Sequence, residues 1–244
     1  MVRKAYSILE EIFTNQISVL NIAVPTAPLD LQSAKKECDE NNYDVHLVQE
    51  IEFEDLQVFI RKKNSIRPIH DSEVISESTP ILEVLEVLCE KEQIFVKVKR
   101  NITHLVTRSD LDTIPVRIWL YGMISLFEIE LKEAINNFGI EWQNLLSENR
   151  INKTTELFEL KIKNNEEIDL LGCTMLADIG TIISKSWGNF ITFFPPELSK
   201  NNIITSFNKI NQLRDALAHG QKLQMDWSKV YHLAKLISYT LKKL

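Results

Sequence analysis

The stretch VRIWLYGMISLFEIELKEAI, residues 116–135, decides the fold of the second half of the chain. Its large apolar residues recur at intervals of three and four, and one stripe consists of Leu120, Ile124, Phe127, Leu131 and Ile135. This spacing is that of the buried face of an α-helix. A proline just before the stretch is typical of the first turn of a helix. We therefore predict a long helix that packs into a core.

The segments that follow also carry helical patterns. Further helices are predicted in EWQNLLSEN, TTELFELKIKNN, EEIDLLGCTMLADIGTIISKS, IITSFNKINQLRDALAHG and DWSKVYHLAKLISYTLKKL. Gly220 is expected to end the helix in which it lies, and Asp226 to cap the start of the last helix. The aromatic segment WGNFITFFPPELSKNN is predicted to be a loop. Residues 114–244 should therefore form an all-α bundle.

The first part of the chain differs in charge and in glycine content. Residues 1–113 hold 13 Lys/Arg and 20 Asp/Glu, whereas residues 114–244 hold 15 Lys/Arg and 14 Asp/Glu. All six glycines lie in the second part. Such a shift in composition predicts two domains, 1–113 and 114–244.

A unit of strand, helix, strand and strand occurs twice in residues 1–113, after an amphipathic helix predicted in residues 1–20. The first copy comprises ISVLNIAV, LDLQSAKKECDENN, YDVHLVQE and LQVFIRKK, and the second comprises SEVISES, ILEVLEVLCEKE, IFVKVKR and THLVTR. The repeat length is about 50 residues, which is typical of tandem structural units. The fold class predicted for the whole chain is therefore α+β with two domains.

The second copy ends in THLVTRSDL, residues 103–111, which resembles the nucleotide-binding signature of CBS domains. The resemblance implies a tandem CBS (Bateman) module, an α/β fold that binds AMP, ADP or ATP as a regulatory ligand. It also implies that Thr107 contacts the phosphate and Asp110 the ribose of the nucleotide. A hydroxyl can donate to phosphate, and a carboxylate can accept from ribose hydroxyls.

The first copy departs from the same signature. Ile60 stands where the signature has threonine, Lys63 stands where it has aspartate, and His104 replaces the signature glycine in the second copy. These departures place the expected ligand site in the second copy alone. The alternative is a degenerate pair of repeats that serves only as a scaffold for dimerisation.

The segment LRDALAHG, residues 213–220, places His219 five residues after Arg214. On a helix this spacing separates the two side chains by about 140° around the axis. A histidine and a glycine at a helix end are also what a purely structural C-cap requires. The segment resembles the arginine–histidine motif of HEPN domains, with Asp215 in place of the commoner asparagine. LFEIELKEAI resembles the first helix of that family, with Glu128 as its acidic position.

The HEPN resemblance implies a homodimeric, metal-independent endoribonuclease that leaves a 2′,3′-cyclic phosphate. Arg214 would hold the scissile phosphate, and His219 would act as general acid or base. Asp215 would orient the histidine or polarise a water, and no cofactor or metal would be needed for catalysis. The motif alone does not fix activity, so a catalytically inactive dimer or adaptor remains the alternative.

Other sequence features exclude several further classes of protein. Three isolated cysteines predict neither a disulfide framework nor a metal site. No apolar run is long enough to span a bilayer, and an acidic N-terminus is not that of a signal peptide, which together predict a cytoplasmic protein. A net charge of −6 is not typical of a general nucleic-acid binder.

The combined expectation is a cytoplasmic, nucleotide-regulated ribonuclease that acts on RNA as a homodimer. The resemblances imply a stress or phage-defence toxin. Two alternatives remain open: an inactive nucleotide-sensing regulator that binds another protein, and a toxin that a partner protein neutralises by covalent modification.

Overall fold

The structure, a computed structural model, describes residues 11–50 and 55–244. These residues form two compact units, of which one comprises residues 14–116 and the other residues 117–244 together with residues 11–13. The predicted division between residues 113 and 114 lies near this boundary, and independent folding of the two parts stays a prediction for limited proteolysis. The first half of the helix predicted in residues 1–20 lies outside the described residues, and Ile12–Gln16 form a short π-helical turn.

The unit of residues 14–116 contains short strands and two helices of ten residues each. The strands are β1 (Val24–Pro25), β2 (Val45–Val48), β3 (Gln57–Ile60), β4 (Ser65–Pro68), β5 (Val74–Ser76), β6 (Gln93–Val98) and β7 (Asn101–Thr107), and the helices are α1 (Leu31–Glu40) and α2 (Ile81–Glu90). The predicted order of strand, helix, strand and strand is present in both copies. The strand β4 was not predicted, and ISVLNIAV contributes only its last residue, Val24, to a strand.

The strands form two sheets. One has the order β1-β7-β6-β5, with β5 and β6 parallel and the other pairs antiparallel, and the second is the antiparallel sheet β2-β3-β4. The first strand of the first copy therefore pairs with the last strand of the second copy. The mixed α+β class is confirmed by these sheets and by the helices of the second unit.

The core of the first unit lies on both faces of the β2-β3 pair. On one face Ala34 and Cys38 of α1 pack with Val48 and Phe59. On the other face Val45, Leu47 and Val58 pack with Phe95 of β6. The strand β2 is buried along its whole length, as expected of a strand covered on both faces.

The second unit contains helices and no strand in residues 117–244. Its helices are α3 (Ile114–Asn137), α4 (Glu148–Lys163), α5 (Leu176–Lys185), α6 (Trp187–Phe190), α7 (Lys200–Ala218) and α8 (Trp227–Leu241), and the first turn of α3 precedes the unit. The predicted stripe of α3 is confirmed, because each of its five residues is at most 1% exposed. No helix among the described residues is both long and apolar enough to cross a membrane.

Three boundaries in this unit differ from the prediction. EWQNLLSEN forms only a 3-10 turn at Trp142–Leu145, and α4 starts at Glu148, directly after Ser147. The fourth predicted helix starts late, at Leu176, where the Asp178 carboxylate accepts a hydrogen bond from the Met175 N–H at 2.9 Å. The predicted aromatic loop contains the short helix α6.

The contact between α5 and α7 depends on a small residue. Gly180 is buried in α5, and a Cβ at this position would lie only 3.1 Å from the Cβ of Phe207 in α7. Glycine therefore allows the two helix backbones to approach closely. This contact helps fix α7, whose C-terminal end carries the arginine–histidine motif.

Candidate functional site

The C-terminal end of α7 has the geometry that the sequence predicts. Gly220 adopts the left-handed conformation at φ 62°, and its N–H donates to the Leu217 carbonyl at 3.3 Å. The Gln221 N–H reaches back to the Ala216 carbonyl at 2.9 Å. This pair of bonds is a Schellman motif, in which His219 is the C-cap residue.

Arg117 of α3 fixes the same helix end from the side. Its Nη2 donates to the Ala216 carbonyl at 3.3 Å and to the Gln221 carbonyl at 2.8 Å. A guanidinium here donates hydrogen bonds to carbonyls at the end of α7 that lack partners within the helix. Its positive charge also interacts favourably with the negative end of the helix dipole. Sequence reasoning missed this residue, although its position near the start of α3 placed it on a helix already predicted to be buried.

Arg214 lies between two carboxylates. Its Nη1 is 3.4 Å from Glu128 Oε2 on α3, and its Nη2 is 3.1 Å from Asp215 Oδ1. Asn211 Nδ2 donates to the other Asp215 oxygen at 3.4 Å. The structure therefore brings together three of the residues that the sequence singled out, Glu128, Arg214 and Asp215.

Lys132 extends this cluster along α3. Its Nζ is 2.8 Å from Glu128 Oε1 and donates to the Gly172 carbonyl at 3.1 Å. Lys132 and Arg214 together balance Glu128 and Asp215, so the formal charge of the cluster is zero. A phosphate that binds Arg214 would compete with the two carboxylates for the same guanidinium donors.

His219 and Arg214 differ in exposure. Binding of RNA at this motif requires both side chains to be largely exposed, which holds for His219 but not for Arg214, whose side chain is only 23% exposed. The packing of Arg214 against Glu128 of α3 is the reason. The ring of His219 makes no hydrogen bond within the described part of the chain, while its backbone N–H donates to the Asp215 carbonyl at 3.1 Å. The imidazole is therefore accessible to a ligand.

Thr107 and Asp110 bind each other in the first unit. Asp110 Oδ2 accepts from the Thr107 N–H at 2.7 Å and from the Thr107 hydroxyl at 2.9 Å, which caps the 3-10 turn Arg108–Asp112. The hydroxyl proton of Thr107 is thus already donated to a carboxylate. A phosphate ligand would require this bond to break, whereas a ligand hydroxyl could donate to either oxygen without breaking it.

Both residues line a cleft with a volume of about 520 Å³. The same cleft is lined by Tyr43, His46 and two further carboxylates, Glu37 and Asp44. Its described lining includes neither lysine nor arginine, and it carries three carboxylates with Asp110. The size suits a small ligand, and the charge favours a neutral or cationic group over a phosphate.

No group of three or more histidine, cysteine, aspartate or glutamate residues among residues 11–50 and 55–244 could hold a metal ion. Burial raises the pKa of the Cys38 thiol and that of the Cys173 thiol, which disfavours the reactive thiolate form.

Comparisons with known proteins indicate no function for the chain. No protein-family model matches the chain, and no match is found among curated proteins or solved structures.

Proposed function

We propose that the helical unit is a metal-independent endoribonuclease, which acts as a homodimer and whose reacting groups are Arg214 and His219. The observation that carries this proposal is the cluster at the end of α7. There a guanidinium anchored by Glu128 precedes an accessible imidazole by five residues. Arginine and histidine together supply the two functions that RNA cleavage without metal requires, a phosphate-binding cation and a proton carrier.

In this proposal His219 removes the proton from a ribose 2′-hydroxyl, or gives a proton to the leaving 5′-oxygen, at the exposed end of α7. Arg214 stabilises the charge that develops on the phosphate. Attack by the 2′-oxygen breaks the bond to the 5′-oxygen and leaves a 2′,3′-cyclic phosphate. Asp215 keeps Arg214 oriented, and its negative charge lowers affinity for the substrate. Such an activity would suit a stress or phage-defence toxin, and a partner protein could neutralise it.

The first unit would act as the sensor in this scheme. The cleft beside Thr107 and Asp110 has the size and the hydroxyl-accepting groups for the adenosine part of AMP, ADP or ATP. Its three carboxylates would repel the phosphates of the nucleotide, which would therefore extend out of the cleft into solvent. Binding would change the rate of RNA cleavage by the dimer.

The test is cleavage of 5′-labelled single-stranded RNA by the purified full chain in EDTA, with and without adenine nucleotides. We expect His219→Ala to lower the rate by about 10²–10⁴-fold, as typical for loss of an acid–base group. Its melting temperature should stay within a few degrees of the wild type, because the ring is exposed. Gln212→Ala, an exposed change on the same helix, is the matched control and should cleave normally. A wild-type protein that cleaves no RNA in any nucleotide state would refute the proposal.

A second candidate, a catalytically inactive nucleotide-sensing regulator or adaptor, is favoured by one observation. Arg214 is half-buried and shared between two carboxylates, as expected of a structural ion pair. Asp215→Asn separates the two candidates, since it removes one competing charge from Arg214. A nuclease should then cleave about two- to fivefold faster, the size of a partly exposed charge interaction. An adaptor would show no cleavage in either form. Glu159→Gln, exposed on α4, controls for the change in net charge.

A further inference from the structure

A second cavity of about 460 Å³ lies in the helical unit, between α7 and α8. We name it the α7–α8 groove. From α7 it is lined by Ser206 and Lys209, and from α8 by Tyr231, Lys235 and Tyr239. Its volume is within the range of small-ligand sites.

The residues from α8 follow a regular spacing. Tyr231, Lys235 and Tyr239 are four residues apart, which places them along one face of the helix. Lys235 Nζ lies 5.4 Å from the centroid of the Tyr231 ring and donates to its hydroxyl at 3.1 Å. The ammonium group of Lys235 thus lies beside the Tyr231 ring, while Lys243 Nζ lies 5.9 Å from the centroid of the Tyr239 ring on the same helix. This alternation of aromatic and basic groups is what binding to a nucleotide uses, with stacking for the base and cations for the phosphate.

The charge of the groove is opposite to that of the cleft in the first unit. Three lysines, Lys209, Lys229 and Lys235, line it together with one carboxylate, Glu197. Lys229 is paired with Asp226 at 2.9 Å, but both side chains are more than half exposed, so this pair is weak. Lys209 has no ion-pair partner within residues 11–50 and 55–244. The groove therefore presents net positive charge within a protein whose overall charge is −6.

We propose that the α7–α8 groove binds a nucleotide, with the phosphate at Lys209 and Lys235 and the base against Tyr239. The hydroxyl of Ser206, which donates to the Asn202 carbonyl at 2.9 Å, keeps its oxygen available as an acceptor for the ligand. The same chemistry is offered by a free nucleotide and by one unit of an RNA strand. The proposal goes beyond the nuclease activity and does not depend on it. If the ligand is an RNA strand, the groove is an RNA-binding surface of the helical unit.

The test measures binding to the full chain carrying His219→Ala, which prevents cleavage during the measurement. Two probes distinguish the sources: UMP, followed by calorimetry, and a fluorescein-labelled eight-nucleotide oligouridine, followed by anisotropy. Uridine probes are chosen because the cleft of the first unit is proposed to take adenosine. We expect the double change Lys209→Gln and Lys235→Gln to weaken binding by about tenfold and to reduce its salt dependence. Tyr239→Leu should weaken it by about fivefold or more through loss of stacking.

The matched control is Lys153→Gln with Lys163→Gln, which removes the same charge from two exposed positions on α4. Binding by the control should equal that of the parent protein. If the double variant does not fold, the single change Lys209→Gln, at an exposed position, replaces it in the binding measurement. Binding of UMP alone identifies a free nucleotide, and binding of the oligouridine identifies an RNA strand. The proposal is overturned if neither probe binds, or if the control weakens binding as much as the groove variants. If the probes bind but the wild-type protein cleaves no RNA, the proposal for the groove stands and only the proposed nuclease activity is refuted.

Discussion

Arg214 Nη1 lies 3.4 Å from Glu128 Oε2, and this ion pair joins α7 to α3 across 86 residues of sequence. Both side chains are less than a quarter exposed. The pair has two consequences: it packs the helix that carries His219 against the longest helix of the unit, and it fixes the direction of the guanidinium. A residue proposed to bind phosphate is thus also a structural link.

A double-mutant cycle should measure this link. Arg214→Ala, Glu128→Ala and the double variant should give a coupling free energy of about 1 kcal/mol by urea unfolding, because the two residues are in direct contact and partly shielded from water. The exposed pair Asp226–Lys229 provides the comparison, and its coupling should be smaller. If the Arg214–Glu128 coupling is no larger than that of the exposed pair, the guanidinium is not anchored by Glu128.

The ligand preference of the acidic cleft is the second prediction. Because Glu37, Asp44 and Asp110 line it, adenosine should bind at least as tightly as AMP, and ATP should bind least tightly. Asp110→Ala should weaken adenosine binding measured by calorimetry by about fivefold or more, the loss of a hydrogen bond to a charged group. Ser72→Ala, an exposed change outside the cleft, should have no effect. Tighter binding of ATP than of adenosine would show that the phosphates meet cations elsewhere.

The helical unit could be predicted from the sequence because its signals are local. The stripe of α3 extends over sixteen residues, from Leu120 to Ile135, and the glycine and aspartate at the helix ends form hydrogen bonds with their own neighbours. The short strands of the first unit gave weaker signals. Val19 in ISVLNIAV is completely buried but belongs to a 3-10 turn, and its N–H donates to the distant Thr79 carbonyl at 2.8 Å. A pairing between residues so far apart leaves no trace in the local pattern.

The candidate site was predicted only in its residue types. The motif named Arg214, Asp215 and His219, but periodicity does not show that Glu128 meets Arg214, since that contact depends on how α3 and α7 pack. Arg117 was missed for the same reason. The spacing of Tyr231, Lys235 and Tyr239 can be seen in the sequence. That these residues line the α7–α8 groove cannot, because it depends on how α7 packs beside α8.

An ion pair in the first unit should make its stability depend on pH. Arg67 donates to both carboxylate oxygens of Glu73, at 2.7 and 2.6 Å, and Glu73 is only 6% exposed. Burial by itself raises the pKa of Glu73, but the bonds from Arg67 and from the His70 N–H outweigh it, and the pKa lies below its ordinary value of 4.5. A lowered pKa in the folded state adds stability above the ordinary value, and this contribution is lost as the pH falls through the folded value.

Glu73→Gln should therefore lower the free energy of unfolding at pH 7 by about 1–3 kcal/mol, the usual loss for a hydrogen-bonded charge. The difference between variant and wild type should narrow as the pH falls below the ordinary value of 4.5 and through the lower pKa of the folded state, since the wild-type carboxyl becomes protonated there. Urea unfolding at a series of pH values measures this. Glu83→Gln, on α2, serves as the control. If the difference in the free energy of unfolding stays constant down to the lowest pH at which the protein is folded, the charge of Glu73 does not stabilise the fold.

Arg117 should control the order of the helix end that carries His219. Its guanidinium binds the Ala216 and Gln221 carbonyls, so Arg117→Ala leaves part of the Schellman motif without its cation. We expect a loss of about 1 kcal/mol in the free energy of unfolding and faster hydrogen exchange at the amides of Gly220 and Gln221. RNA cleavage should fall several-fold, because the imidazole is less well positioned while Arg214 keeps its partners.

A second variant and a control separate this effect from a general loss of stability. Gly220→Ala introduces a Cβ that meets no atom within 4 Å, so its cost of about 1 kcal/mol comes only from the left-handed backbone, and it should loosen the same amides. Lys222→Ala, exposed just beyond the motif, should change neither exchange nor cleavage. Unchanged exchange at both amides in Arg117→Ala would show that the Schellman motif holds the helix end by itself. Arg117 would then have no positioning role toward His219.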